Sequence, residues 1–158
     1  MGASNQANVL LVEDHADARR VMARLLGQEF NVIATATYDE ALAAARASMP
    51  QLVITDISLG GELDGIDLMR AICAIKPIPG IAVSGHPVDD PARLREVGIS
   101  RWFIKPIHFH QLIAAAREVL AESAAATIAS TASTATVATS MTPPTLTPTT
   151  VPQTDSPR

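Results

Sequence analysis

Five short apolar runs, each followed by a helical pattern, constrain this chain more than any other feature. Val9-Leu10-Leu11-Val12 is the first, continuous rather than alternating, as expected of a strand covered on both faces. Phe30–Thr35, Leu52–Thr55, Ile81–Val83 and Trp102–Ile104 are the others. Between them, residues 14–28 put Ala18, Val21, Met22 and Leu25 on one helical face. Thr37 and Glu40 open a second helix as a capping box, with Tyr38, Ala41, Leu42 and Ala45 as its apolar stripe. Asp64 caps a third helix running to about Lys76, with Leu68, Met69, Ile72 and Ile75 turned inward. Asp90 before Pro91 opens a short fourth helix, and Phe109, Leu112, Ile113, Ala116 and Leu120 line a fifth.

Five β-then-α units imply an α/β domain, a parallel sheet with helices on both faces and right-handed crossovers. Only 3% of residues are aromatic, so Val, Ile, Leu, Ala and Met must build the core. Composition then divides the chain. All but Asp155 of the 16 acids, and all but Arg158 of the 12 bases, lie before Ser123. Residues 123–158 are rich in Thr, Ala, Ser and Pro and read as a disordered tail; residues 1–7 read as a flexible N-terminus. The globular part is expected at 8–122.

The net charge of −4 argues against direct nucleic-acid binding, which favours a basic patch. Cys73 is the single cysteine, which excludes an intramolecular disulfide and suits a reducing cytoplasmic compartment. Residues 1–8 lack the charge and apolar pattern of a signal peptide, and no apolar run approaches the ~20 residues of a membrane span.

In parallel α/β sheets, ligands gather at the carboxyl ends of the strands. Glu13 and Asp14 follow strand one, Asp56 strand three, Ser84 and Gly85 strand four, and Lys105 and Pro106 strand five. Three clustered carboxylates repel, and a divalent cation removes that cost. Oxygen-rich sites suit Mg²⁺. A free carboxylate beside such an ion, with an ammonium at hand, can receive a phosphoryl group.

Over residues 8–122, "EDH" after strand one, Asp56, "SG" and "KP" in register resemble the response-regulator receiver domains of two-component signalling. The resemblance implies a flavodoxin-like (βα)5 doubly wound sheet in strand order 2-1-3-4-5. It implies that Asp56 is the phosphoacceptor and, with Glu13, Asp14 and the backbone carbonyl of Ser58, holds Mg²⁺. Lys105 would contact the phosphoryl group, Ser84 and Trp102 would form the switch pair, and the Lys105–Pro106 bond would be cis. His86, two residues past Ser84, is a candidate for tuning phosphoryl lifetime. Expected partners are a histidine kinase or histidine phosphotransfer protein and a downstream protein target, with a homodimer through helix 4, strand 5 and helix 5 as one further contact. The chain would not be an enzyme beyond its own phosphorylation and slow dephosphorylation.

Departures from the family pattern are local. The loop "DISLGGELDG" reaches Gly65 nine positions after Asp56 rather than eight, and Trp102 replaces the more usual Tyr or Phe. They motivate a rival: a receiver-like interaction module independent of phosphorylation. A phosphatase with an Asp nucleophile wants a second acid at position 58, where Ser stands; a dinucleotide binder wants G-x-G-x-x-G after strand one, which is missing. His15, His86, His108 and His110 match no zinc spacing and read as surface or loop residues. Cys73 reads as a small core residue.

Overall fold

The computed structural model describes residues 6–136. Five parallel strands, β1 (Asn8–Val12), β2 (Asn31–Thr35), β3 (Leu52–Asp56), β4 (Gly80–Ser84) and β5 (Ile99–Ile104), form one sheet in the order β2-β1-β3-β4-β5. The helices are α1 (Ala16–Leu26), α2 (Tyr38–Ser48), α3 (Gly65–Ile75), α4 (Pro91–Glu96) and α5 (Phe109–Thr136). This is the expected flavodoxin-like order.

The pleat explains the continuous apolar runs. Leu10, Val12 and Val53 face one core, shared with α2, α3 and α4 through Ala41, Ala45, Leu68, Met69, Ile72 and Leu94. Val9, Leu11, Leu52 and Ile54 face the other, closed by Met22 and Leu26 of α1 and Leu112, Ala116 and Val119 of α5. Every residue of β3 and β4 is buried, which only an interior strand of a doubly covered sheet requires. Reversal of strand order at β1 and β3 brings their carboxyl ends together as a crevice.

Local chemistry sets the helix starts. The Thr37 side chain accepts from the Glu40 amide, while Glu40 Oε2 reaches back one residue further, to the Ala36 amide. Asp64 accepts from the amides of Ile66 and Asp67, and Asp67 answers through the Asp64 amide. Asp90 accepts from the Ala92 amide, with Pro91 in the first turn. Cys73 is half-buried against the first core, its thiol directed at the carbonyls of Ile78 and Val97.

Three expectations are corrected. Val21, placed inward by periodicity, is 49% exposed, because α1 starts at Ala16 and turns Met22 and Leu26 to the sheet; Val21 rims an open groove instead. Ile75 is 45% exposed, as the last residue of α3, where it flanks Ala45 and Met49 rather than the sheet. The tail expected to be disordered from Ser123 is helical as far as Thr136, so the ordered region does not end at 122. Alanines supply the propensity there, and Thr127 and Thr131 hydroxyls bond back to the carbonyls of Ser123 and Thr127. The rest of that tail, and residues 1–5 of the N-terminus, lie outside the described residues; Ala7 already packs on the second core, and its carbonyl accepts from the Asn31 amide. Among the described residues, no helix is long and apolar enough to cross a membrane.

Candidate functional site

Strands β1, β3 and β5 each deliver one part of the site at the carboxyl end. Glu13, directly after β1, is 1% exposed and Asp56, the last residue of β3, is 5% exposed. Lys105 follows β5, and its backbone amide donates to the Ser84 carbonyl at the end of β4. The Lys105 ammonium donates to Asp56 Oδ2 at 2.6 Å and to Glu13 Oε2 at 2.8 Å. One cation thus compensates two buried carboxylates that would otherwise repel in a poorly solvated crevice. Burial alone would depress the Lys105 ammonium; the hydrogen bonds and charges of Asp56 and Glu13 outweigh it and hold its pKa above the ordinary 10.5. The Lys105–Pro106 bond is cis, as expected.

The second Asp56 oxygen, Oδ1, accepts from the Ser58 amide at 2.9 Å. Gly65 decides how closely the following helix approaches. A Cβ there would strike the Asp56 carbonyl oxygen, so the start of α3 can lie against the end of β3 only with glycine at this position. Its amide closes the loop on the Ile57 carbonyl at 2.8 Å.

Asp14 is more open than Glu13, with 30% of its side chain exposed. Burial raises its pKa; the His15 hydrogen bond and charge more than offset this, and the net direction is downward. Gly60, at φ +68°, passes over it, and a Cβ there would sit 3.1 Å from Asp14 Oδ2. The bare glycine leaves that oxygen open. Glu13 and Asp14 therefore form a cluster of hard oxygen donors, one of them uncovered, of the kind at which receiver domains bind Mg²⁺.

Other residues singled out from the sequence lie nearby without joining this network. Ser84 Oγ donates to the His86 carbonyl at 2.7 Å and accepts from the His86 amide at 3.1 Å, so the hydroxyl is spent on its own loop. His86 is exposed and shares a cleft of about 310 Å³ with Ser58, Ser84 and Arg93. Trp102 is half-buried on the first core, with the Arg95 guanidinium 5.6 Å above its ring.

Two contributors were missed. Arg19 on α1 donates from Nη1 to the carbonyls of Glu13 at 2.7 Å and Asp14 at 3.1 Å, fixing the acid-bearing turn from behind. Side-chain donors to backbone leave no sequence pattern, so only its position one turn into α1 could have hinted at this. His15, read as a surface residue, is exposed but groups with Glu13 and Asp14, their ligand atoms all within 4.8 Å of one another. The contiguous "EDH" was the available signal.

A doubly wound parallel sheet with buried acids bridged by a lysine at its carboxyl edge defines a receiver-type signalling module. Residues 9–117 match the family model of the response regulator receiver domain, and the chain belongs to that family. It is 35% identical over 114 residues to the C4-dicarboxylate transport transcriptional regulatory protein DctD of Rhizobium meliloti (strain 1021), covering 70% of this chain and 24% of that protein. It is 28% identical over 116 residues to the regulatory protein VirG of Agrobacterium tumefaciens (strain 15955), covering 72% of this chain and 43% of the relative. The chain thus spans less than half the length of either. In fold it is similar to a CheY-like response regulator receiver domain protein from Methanospirillum hungatei JF-1. That likeness has TM-score 0.71 at 22% identity and covers 75% of this chain and 97% of the other.

Proposed function

We propose that this receiver domain accepts a phosphoryl group on Asp56 from the phosphohistidine of a histidine kinase or histidine phosphotransfer protein, and signals by protein–protein contact. The observation that carries this is the Lys105 ammonium held 2.6 Å from a buried aspartate at the mouth of the crevice. An Asp56 carboxylate oxygen attacks phosphorus, an O–P bond forms, and the P–N bond to the donor imidazole breaks with the electron pair leaving on nitrogen. The imidazole leaves with a proton. Lys105 exchanges its hydrogen bond to Asp56 for one to a phosphoryl oxygen, so its charge is already in place where negative charge develops. The Ser58 amide keeps the carboxylate oriented.

Glu13, Asp14, Asp56 and the backbone carbonyl of Ser58 would hold Mg²⁺, which supplies charge neutralisation for the phosphoryl oxygens when bound. Ser84 then serves as a hydrogen-bond donor to a phosphoryl oxygen, and Trp102 as its switch partner. The readout surface is α4, β5 and α5, where Ile104 is 50% exposed; the same face would serve a homodimer or a downstream protein target. His86, in the cleft with Ser84, would tune phosphoryl lifetime. The chemistry begins and ends on the chain's own carboxylate, so no turnover of an external substrate is assigned. We place the domain in the cytoplasm, where kinase and target are met, and assign it no direct nucleic-acid contact.

The test is mass spectrometry after incubation with acetyl phosphate and Mg²⁺. A gain of one phosphoryl group, lost in Asp56→Asn, is expected; labelling of Asp56→Asn at the unmodified rate would sink the assignment. A phosphorylation-independent interaction module is the second reading. It is favoured by Ser84 being occupied with His86 and by Trp102 being already packed under Arg95. No mass gain, together with no Trp102 fluorescence response to Mg²⁺ or beryllofluoride, would establish that reading instead.

A further inference from the structure

We infer that His15 completes a mixed oxygen–nitrogen metal site with Glu13 and Asp14, which uses the imidazole for first-row transition ions such as Ni²⁺ but not for Mg²⁺. This rests on the reading of Glu13 and Asp14 as metal-holding acids. The proposed phosphoryl chemistry makes no use of His15.

The geometry is specific. His15 Nδ1 shares a hydrogen bond with Asp14 Oδ1 at 3.2 Å and lies 3.9 Å from Glu13 Oε1, so a bound ion would take the place of the proton between them. Donors that each stand about 2.1 Å from one ion are about 3.0 Å apart at right angles and about 4.2 Å apart when opposed. Both observed separations fall within that interval. The backbone from which the imidazole projects is held in place, since the His15 amide donates to Glu13 Oε1 at 3.3 Å. Arg19 fixes the carbonyls of the two preceding residues. The ring itself is 81% exposed and free to adjust.

Ligand chemistry then separates the ions. Mg²⁺ prefers carboxylate, carbonyl and water oxygens and gains little from a neutral imidazole, whereas Ni²⁺ and Zn²⁺ gain strongly from it. An all-oxygen acid pair would discriminate weakly; with His15 added, the same crevice captures a borderline ion in place of the hard one. Such an ion would compete with Mg²⁺ for Asp14, so the occupancy of one site would report which metal prevails.

Isothermal titration calorimetry of the whole chain with Ni²⁺ and, separately, Mg²⁺ tests this, comparing the parent and His15→Ala. His108 and His110, whose rings lie 5.9 Å apart, are both replaced by Ala in each protein to remove that other imidazole pair. The expected result is a Ni²⁺ affinity at least tenfold weaker in His15→Ala, an Mg²⁺ affinity changed less than twofold, and weakening of parent Ni²⁺ binding by excess Mg²⁺. Equal Ni²⁺ affinity in the two proteins, or Ni²⁺ binding indifferent to Mg²⁺, overturns the role of His15 and leaves the acid pair as a plain Mg²⁺ site. Failure of both proteins to bind Mg²⁺ overturns the metal reading itself, and this inference with it.

Discussion

Lys105 Nζ lies 2.6 Å from Asp56 Oδ2, across 49 residues of chain, and the same ammonium reaches Glu13 Oε2 at 2.8 Å. Removing it leaves two buried carboxylates facing each other. Lys105→Met is therefore expected to lower stability by about 2 kcal/mol in a chelator, below the usual range for a fully buried pair because the lysine side chain is one-third exposed. Urea unfolding with EDTA and then with Mg²⁺ checks it. Mg²⁺ should recover much of the loss, since a divalent ion answers the same repulsion.

The raised Lys105 pKa has a pH signature. The folded state holds this proton more tightly than the unfolded chain. Its contribution is fully present below the ordinary value of 10.5 and is lost as pH rises beyond it through the folded-state value. Unfolding midpoints measured from pH 9 upward should fall more steeply for the unmodified protein than for Lys105→Met. Parallel curves would contradict the linkage.

Gly65 and Gly61 offer a matched pair. A methyl at Gly65 would meet the Asp56 carbonyl, and both partners are backbone; a methyl at Gly61 meets nothing within 4 Å. Gly65→Ala is expected to cost about 2–3 kcal/mol and to slow phosphoryl acceptance, while Gly61→Ala stays within about 0.5 kcal/mol of the parent. Chemical denaturation and acetyl phosphate labelling read both effects.

Arg19 has no counterpart in the proposed chemistry, yet it supports the turn that carries it. Arg19→Ala removes two charge-assisted hydrogen bonds to backbone carbonyls, and a stability loss of about 1–2 kcal/mol is expected. A several-fold weaker Mg²⁺ affinity should accompany it, because Glu13 and Asp14 lose their fixed spacing. An unchanged Mg²⁺ affinity would show that the acids are positioned without it.

The extension of α5 is open to a separate test. Residues 124–131 are exposed throughout, so their helix adds nothing to either core. Ala126→Pro is expected to lower the helical circular dichroism signal while leaving the urea midpoint unchanged. A large fall in the midpoint would reveal packing of the extension on the domain.

The legible and illegible parts of this molecule divide by physical cause. A strand buried on both faces leaves an uninterrupted apolar run, so β1, β3 and β4 could be read from Val9–Val12, Leu52–Thr55 and Ile81–Val83 to within a residue or so. Asp64 and Asp90 mark helix starts because capping is a local bargain between a side chain and the next amides. Glu13, Asp56 and Lys105 come together, as their places after three apolar runs suggest, because parallel topology sends every strand end to one edge. Depth was harder. Val21 and Ile75 satisfy the helical period but lie where the sheet offers no surface. Arg19 acts on carbonyls, which every residue has, so nothing in the letters singled it out. The helix over residues 123–136 is hard to read because Ala, Ser and Thr without apolar periodicity suit coil and solvated helix alike, and only the backbone separates them.

That last helix has a mechanical consequence. Its 28 residues span about 42 Å at 1.5 Å each, of which the first half rests on the sheet beside the crevice. A tilt of about 10° where the helix leaves the sheet would sweep its far tip, about 21 Å on, through about 4 Å, a displacement that a neighbouring protein seated on the tip would meet.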